Sequence, residues 1–141
     1  MRKNLYSEAL HVAQTYDVAT SKNSLVVYSV SFLPTKENRD KAFDYVKKHK
    51  KAMLLDHTDC GAKLIEMGLN SGDCGLKQEE VFSVWRKASQ RLIEQASGNI
   101  TAFVEGADPR STFITIELPC ILVNPKIKTI NGVAKEKFGL D

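Results

Sequence analysis

Short apolar runs of strand length alternate along this chain with stretches that carry apolar residues at helical spacing. Residues 25–30 form an apolar run, which is typical of a strand covered on both faces. Further strands are predicted at residues 52–55, 99–105, 112–118 and 127–130. Because strands alternate with helices, we predict an α/β fold with a largely parallel central sheet flanked by helices, and an α+β fold is the alternative.

Helices are predicted where apolar residues recur at three- and four-residue steps. The first forms a helical layer from about the first 20 residues, and the second begins after Pro34 with Thr35 as its N-cap. A brief third helix is capped by Asp59, and a fourth ends at Ser97-Gly98. The inward residues of the first helix are predicted to be Leu5, Ala9, Val12, Ala13 and Tyr16. Those of the fourth are Val81, Trp85, Ala88, Leu92 and Ala96. Residues 1–141 are predicted to form a single domain.

The composition is that of an ordinary soluble globular protein, with 43% apolar and 26% charged residues. No apolar run approaches the roughly 20 residues that a membrane span needs, and no secretory signal segment is expected at the N-terminus. The three cysteines have no metal-ligand spacing, so no metal site is expected. We predict free thiols in a reducing cytosol, and a disulfide between Cys60 and Cys74 is the alternative.

The densest positive segment is residues 47–51, in a chain whose net charge is +3. Cations complement the dipole at the C-terminal end of a helix, so we interpret this segment as a solvated helix end. The alternative is a patch for nucleic acid or for an acidic partner. Binding of single-stranded nucleic acid requires aromatic residues between the lysines, and this segment has none. Nucleic acid is therefore not expected as a ligand.

Polar residues lie at the ends of several predicted strands. In residues 112–118 the side chains alternate, so that Ile114 and Ile116 are predicted to face the core while Phe113 and Glu117 face away from it. Pro119 would end this strand. Tyr28-Ser29 and Asp56 also fall at strand ends, where parallel sheets bind ligands. Trp85 and Ser89 share one face of the fourth helix, one turn apart.

These residues resemble the ADP-ribosyl cyclase/NAD glycohydrolase family, whose members strip nicotinamide from NAD. The family pattern is a Trp followed four residues later by a Ser on a helix, then a strand, and then S-T-F-x-x-x-E. Here it reads Trp85, Ser89 and residues 111–117. Tyr28-Ser29 lies where the family has a Trp-Ser pair, and Asp56 lies within the equivalent of a Leu-Glu-Asp-Thr motif. The resemblance covers roughly residues 25–131.

The resemblance implies an NAD glycohydrolase with Glu117 as the catalytic residue and no cofactor beyond NAD or NADP as substrate. It implies substrate contacts from Trp85, Tyr28, Ser29, Asp56, Ser89, Ser111, Thr112 and the backbone near Phe113. Nicotinamide leaves NAD as a neutral base, so one carboxylate beside the oxocarbenium ion is sufficient, whereas ordinary glycosidases use two.

The chain departs from the family at three positions. Tyr28 replaces a Trp, Asp56 is shorter than the family Glu, and Val30 stands where an animal enzyme has a phosphate-holding Arg. We expect Arg110 or Arg91 to supply the missing positive charge.

The chain looks more like the bacterial version of the family, because it is shorter than the animal ectoenzymes and has fewer cysteines. That version is the C-terminal toxin domain of a contact-dependent inhibition protein or of a related secretion-delivered protein. The resemblance then implies delivery as the C-terminal part of a larger protein, action in the cytoplasm of a target bacterium, and a cognate immunity protein as partner.

Two other functions compete with this interpretation. A metal-independent ribonuclease toxin would use His57 as its acid–base, and a non-catalytic module would hold a nucleotide without turning it over. The single residues also have structural interpretations. Trp85 is a core residue in that view, Glu117 a solvated edge-strand residue, and Asp56 a turn or helix cap.

Overall fold

The computed structural model describes residues 4–29, 37–69, 74–104 and 113–138. Their α-helices are α1 (Leu5–Thr15), α2 (Glu37–Lys48), α3 (Asp59–Glu66), α4 (Gln78–Gln95) and α5 (Leu118–Val123). Their strands are β1 (Val26–Tyr28), β2 (Gly98–Phe103), β3 (Ile127–Ile130) and β4 (Val133–Ala134). Two 3₁₀ turns cover Leu55–His57 and Lys135–Lys137, and a π-helix covers Phe113–Glu117.

The strands form one sheet in the order β1-β2-β3-β4. β1 pairs with β2, and β2 with β3, in parallel, whereas the short β4 runs antiparallel to β3. Tyr28 at the end of β1 lies in register with Phe103 at the end of β2. The predicted α/β fold with a largely parallel sheet is therefore confirmed, and the carboxyl ends of β1 and β2 meet at one edge.

Helices cover both faces of the sheet, as the alternation along β1 requires. Leu25 and Val27 point into the main core, which also takes buried residues from α1, α3, α4 and α5. Val26 and Tyr28 point to the opposite face and pack in a second cluster with residues of α2. The main core includes Ala9, Val12 and Ala13 of α1, so the predicted N-terminal helical layer joins the same core as the sheet.

Side chains at the ends of α4 and α5 hold the segment that carries Glu117. The buried Asn124 amide donates to the carbonyls of Ile93 (2.8 Å) and Ala96 (3.2 Å) at the end of α4. The buried Lys135 ammonium donates to the carbonyls of Ile121 and Asn124 at the end of α5. These bonds add side-chain donors to carbonyls at the ends of the two helices, and those of Asn124 tie α5 to α4.

The strand predicted at residues 112–118 is wrong. Residues 113–117 form a π-helix that continues directly into α5. Phe113 and Glu117 are four residues apart and share the buried face, 1% and 7% exposed, while Ile114 and Ile116 are only partly buried. Pro119 does not end a strand but lies in the first turn of α5.

Several smaller predictions are corrected as well. Residues 52–55 form only an isolated parallel bridge, between Leu25 and Met53. Thr58, not Asp59, caps α3 through its side chain. Tyr16 lies just beyond α1 and is 38% exposed, so it does not face the core. The buried face of α4 consists of Val84, Ala88, Ser89, Leu92 and Ile93. The predicted cap at Thr35 lies outside the described residues.

The cysteines and the basic segment are as predicted. Cys60, Cys74 and Cys120 are free. Lys47 and Lys48 lie in the last turn of α2, and Lys48 pairs with Asp44 at 2.9 Å. Among the described helices, none is long and apolar enough to cross a membrane.

Candidate active site

Glu117 is a buried carboxyl group at the last residue of the π-helix. Burial raises its pKa to about 8, and a hydrogen bond from the Ser89 side chain lowers it. The wider turn of a π-helix redirects side chains relative to an α-helix and is frequent at functional sites. With this pKa the carboxyl group is largely protonated at neutral pH.

Helix α4 supplies Ser89 and, one turn earlier, Trp85. Ser89 is 5% exposed. The partly buried Trp85 ring packs against the main core, and its Nε1 donates a 3.1 Å hydrogen bond to the carbonyl of Leu69. The indole N–H of Trp85 is therefore satisfied by a structural hydrogen bond, while part of the side-chain surface stays accessible.

The end of β1 places two polar residues on opposite faces of the sheet edge. Ser29 is 2% exposed, its N–H donates to the Phe103 carbonyl at 3.1 Å, and its carbonyl accepts from the Asn38 amide at 3.1 Å. The Ser29 hydroxyl is buried and has no hydrogen-bond partner in the described structure. A buried hydroxyl without a partner is costly, and a ligand that supplies one removes that cost.

Tyr28 connects the parts of the site electrostatically. Burial, followed by the charges of Asp56 and Glu117, raises the pKa of its phenol to about 12, while the charge and hydrogen bond of Arg39 lower it. The Tyr28 ring lies 6.0 Å from the Phe43 ring, at a tilt of 57°. Tyr28 is therefore close enough to Asp56 and Glu117 to sense both charges.

Asp56 lies in the 3₁₀ turn that precedes α3. Burial raises the pKa of its carboxyl, and the Asp56 backbone N–H, His57 and Arg39 lower it in that order. Gly61 allows α3 to pack closely on this turn, since a Cβ there would lie 2.6 Å from the Leu55 carbonyl carbon. Thr58 performs the capping through a 3.1 Å bond from the Gly61 N–H, so the interpretation of Asp56 as the helix cap is wrong.

Two residues of the site gave no signal in the sequence. Asn38 holds the Ser29 carbonyl, and Arg39 hydrogen-bonds Tyr28. Both belong to the first turn of α2, in a charged stretch that has the pattern of a solvated helix face. Only the packing of α2 on the sheet edge brings them to Tyr28 and Ser29.

The structure brings Tyr28 into electrostatic reach of Asp56 and Glu117, and it brings Ser89 into hydrogen-bond reach of Glu117. Trp85 and Tyr28 pack against different clusters, one on each face of the sheet. The Phe113 side chain lies in the core, with its ring 6.2 Å from the Phe138 ring. The predicted strand would have turned this side chain away from the core.

Ser111 and Thr112 lie outside the described residues. Within the described ranges, no group of three or more His, Cys, Asp or Glu side chains is placed to hold a metal ion.

Among the solved structures that share this architecture, three are of ADP-ribosyl cyclases. One is a variant with a glutamate replaced by alanine, with a TM-score of 0.55 at 20% identity over 78% of this chain and 48% of that chain. The Aplysia cyclase, complexed with its substrate NGD and its product cGDPR, has a TM-score of 0.55 at 21% identity over the same shares of 78% and 48%. A cyclase complexed with N1-cIDPR has a TM-score of 0.56 at 17% identity, over 88% and 62%.

The fold is similar to that of ADP-ribosyl cyclases. The chain spans between 48% and 62% of the length of these structures, and identities of 17% to 21% establish the fold alone. No family model matches the chain, and no curated protein matches it either.

Proposed function

We propose that this protein is an NAD glycohydrolase that cleaves the bond between nicotinamide and ribose. The observation that carries the proposal is the buried Glu117 carboxyl, hydrogen-bonded to Ser89 and within electrostatic reach of Tyr28. The similarity of the fold to ADP-ribosyl cyclases, one of them complexed with its substrate NGD, supports the same reaction class.

The chemistry requires an anion at one point in the site. When the C1′–N bond breaks, the electron pair stays on nicotinamide, which leaves as a neutral base, and positive charge develops on the ribose ring. The Glu117 carboxylate stabilises that oxocarbenium ion, or forms a short-lived ester with it. Water then adds to C1′ and loses a proton, giving ADP-ribose.

The raised pKa of Glu117 has a consequence for substrate binding. In the free protein the carboxyl is mostly neutral below its pKa of about 8. The pyridinium ring of NAD carries a positive charge, which favours the ionised carboxylate as the substrate enters. The site therefore ionises its catalytic group when a cationic leaving group is beside it.

The remaining residues have supporting roles in this proposal. Tyr28 and Trp85 supply aromatic faces for the cationic ring, and the Asp56 carboxylate accepts a hydrogen bond from the carboxamide NH₂. Ser29 and Ser89 contribute hydroxyls, and Ser29 has one without a partner in the described structure.

The test is nicotinamide release from NAD by the purified protein beside its Glu117→Gln variant. We expect release by the wild type and loss of about a thousandfold or more in the variant, as for removal of a principal electrostatic stabiliser. Glu94→Gln, the same substitution at an exposed residue of α4, is the matched control and should retain full activity. Chromatography of the products separates hydrolysis from cyclisation.

The other outcomes identify the competing functions. NAD binding without nicotinamide release indicates a nucleotide-binding module. If NAD neither binds nor turns over, the proposal fails, and RNA cleavage that is lost in His57→Ala would identify a ribonuclease.

We further propose that the activity is that of a toxin delivered into a target bacterium as the C-terminal part of a larger protein. An enzyme that drains NAD poisons the cell that makes it, so a tight-binding immunity protein is the expected partner. Induced expression in a bacterium should deplete NAD and arrest growth, and Glu117→Gln should do neither. Growth arrest without a fall in NAD contradicts the toxin proposal.

A further inference from the structure

The dinucleotide proposed as substrate presents this site with an electrostatic problem. NAD carries a pyrophosphate with two negative charges, and the site already contains the carboxyl groups of Asp56 and Glu117. Bringing like charges together in a partly buried pocket is unfavourable unless a cation is present. A positively charged side chain at the site would offset this repulsion.

Of the two arginines predicted to supply this charge, Arg91 is occupied by other contacts. Its guanidinium donates to the carbonyl of Ala13 at 2.8 Å and to that of Tyr16 at 2.9 Å. These bonds satisfy carbonyls at the end of α1 and commit Arg91 to the contact between α1 and α4. Arg110, the other candidate, lies outside the described residues.

Arg39 is a cation that the structure does place at the site. It lies on the exposed side of α2, and its guanidinium carbon is 4.5 Å from the centroid of the Phe43 ring. It also hydrogen-bonds Tyr28, and its charge lowers the pKa of Asp56. Phe43 and Tyr28 hold the guanidinium in place, which reduces the conformational entropy that an exposed arginine loses when it binds a ligand.

The Arg39 side chain suits an anion. A guanidinium has several N–H donors, and the Tyr28 oxygen occupies only part of them. The guanidinium donors match the oxygens of a phosphate.

We propose that Arg39 binds the pyrophosphate of the dinucleotide. This inference rests on the proposed function and adds to it the residue that selects a phosphate-bearing substrate. It assigns the anion contact to α2, a helix that the sequence motifs do not include.

The test compares two substrates and two arginines. Arg39→Gln should lower kcat/KM for NAD by about 10- to 100-fold, as expected for loss of a hydrogen bond to a charged group. The loss for nicotinamide riboside, which has no phosphate, should be clearly smaller, because only the effects of Arg39 on Tyr28 and Asp56 are then removed. The matched control is Arg86→Gln on α4. The Arg86 guanidinium carbon lies 5.8 Å from the centroid of the Phe82 ring of its own helix, and no contact joins Arg86 to the described residues of the site.

Equal losses on both substrates would overturn the proposal, since Arg39 would then only position Tyr28 and Asp56. No loss on NAD would also overturn it. Binding of ADP-ribose, measured by calorimetry, keeps the inference separate from the proposed reaction. If the wild type releases no nicotinamide but binds ADP-ribose about 10-fold or more tightly than Arg39→Gln does, the anion site stands and the glycohydrolase proposal fails. If the wild type does not bind ADP-ribose, the Arg39 proposal fails.

Discussion

Replacing Glu117 with glutamine is expected to stabilise the protein at neutral pH while it abolishes activity. The carboxyl is 7% exposed, and burial raises its pKa to about 8 from an ordinary value of 4.5. A group whose pKa is raised by folding contributes stability below its unfolded pKa and loses it as pH rises toward the folded pKa. Glutamine has nearly the same shape as the protonated carboxyl and has no charge to desolvate.

The size of the effect follows from the two pKa values. Between about pH 5 and pH 7 the carboxyl ionises in the unfolded chain but remains protonated in the folded protein. Each pH unit in this window costs the wild type about 1.4 kcal/mol, so the two units cost about 2 to 3 kcal/mol. The Glu117→Gln variant has no carboxyl group at this position and does not lose this stability. The difference in unfolding free energy between variant and wild type should therefore increase by about 2 to 3 kcal/mol from about pH 5 to pH 7.

Urea denaturation of wild type and variant at both pH values measures the gap directly. Taking the difference between the proteins cancels the pH dependence of all other groups. Glu94→Gln, at an exposed position, should show a gap that does not change with pH. A Glu117→Gln gap that stays constant or narrows from about pH 5 to pH 7 would show that Glu117 is ionised in the folded protein, and the reasoning would be refuted.

Two further results are expected. The kcat/KM for NAD should rise as pH increases through about 8, because kcat/KM reports ionisation of the free enzyme and the reaction needs the carboxylate. An initial-rate profile that falls over this range contradicts the assignment. Gly61→Ala should destabilise the protein by about 1 to 3 kcal/mol and raise the KM for NAD, because its Cβ would collide with the Leu55 carbonyl beside Asp56. Ala62→Gly, an exposed change in the same helix, is the control: it should lower the free energy of unfolding by about 1 kcal/mol and leave KM unaltered. Equal KM values for wild type and Gly61→Ala would show that the turn that carries Asp56 does not take part in binding NAD.

The π-helix explains why the candidate site was only partly predictable. Residues 113–117 read Phe-Ile-Thr-Ile-Glu, and β-branched residues in alternation are the usual pattern of a strand. Propensity is a weak guide where packing decides, and here Phe113 and Glu117 are both buried against the core. That requires a helical segment, because residues four apart then share a face. The sequence motif linked Ser89 with Glu117, and the structure brings the two within hydrogen-bond reach, although the backbone around Glu117 was predicted wrongly.

Local patterns in the sequence determined the amphipathic helices α1 and α4, the apolar strand β1 and the parallel character of the sheet, because these depend on short-range periodicity. The tertiary structure decided which groups surround Glu117. The burial that raises its pKa comes from the packing of the π-helix against α4, and Arg39 reaches Tyr28 only because α2 packs on the far face of β1. Desolvation and contacts between distant segments are properties of the packed chain, and no spacing of residues along the sequence encodes them.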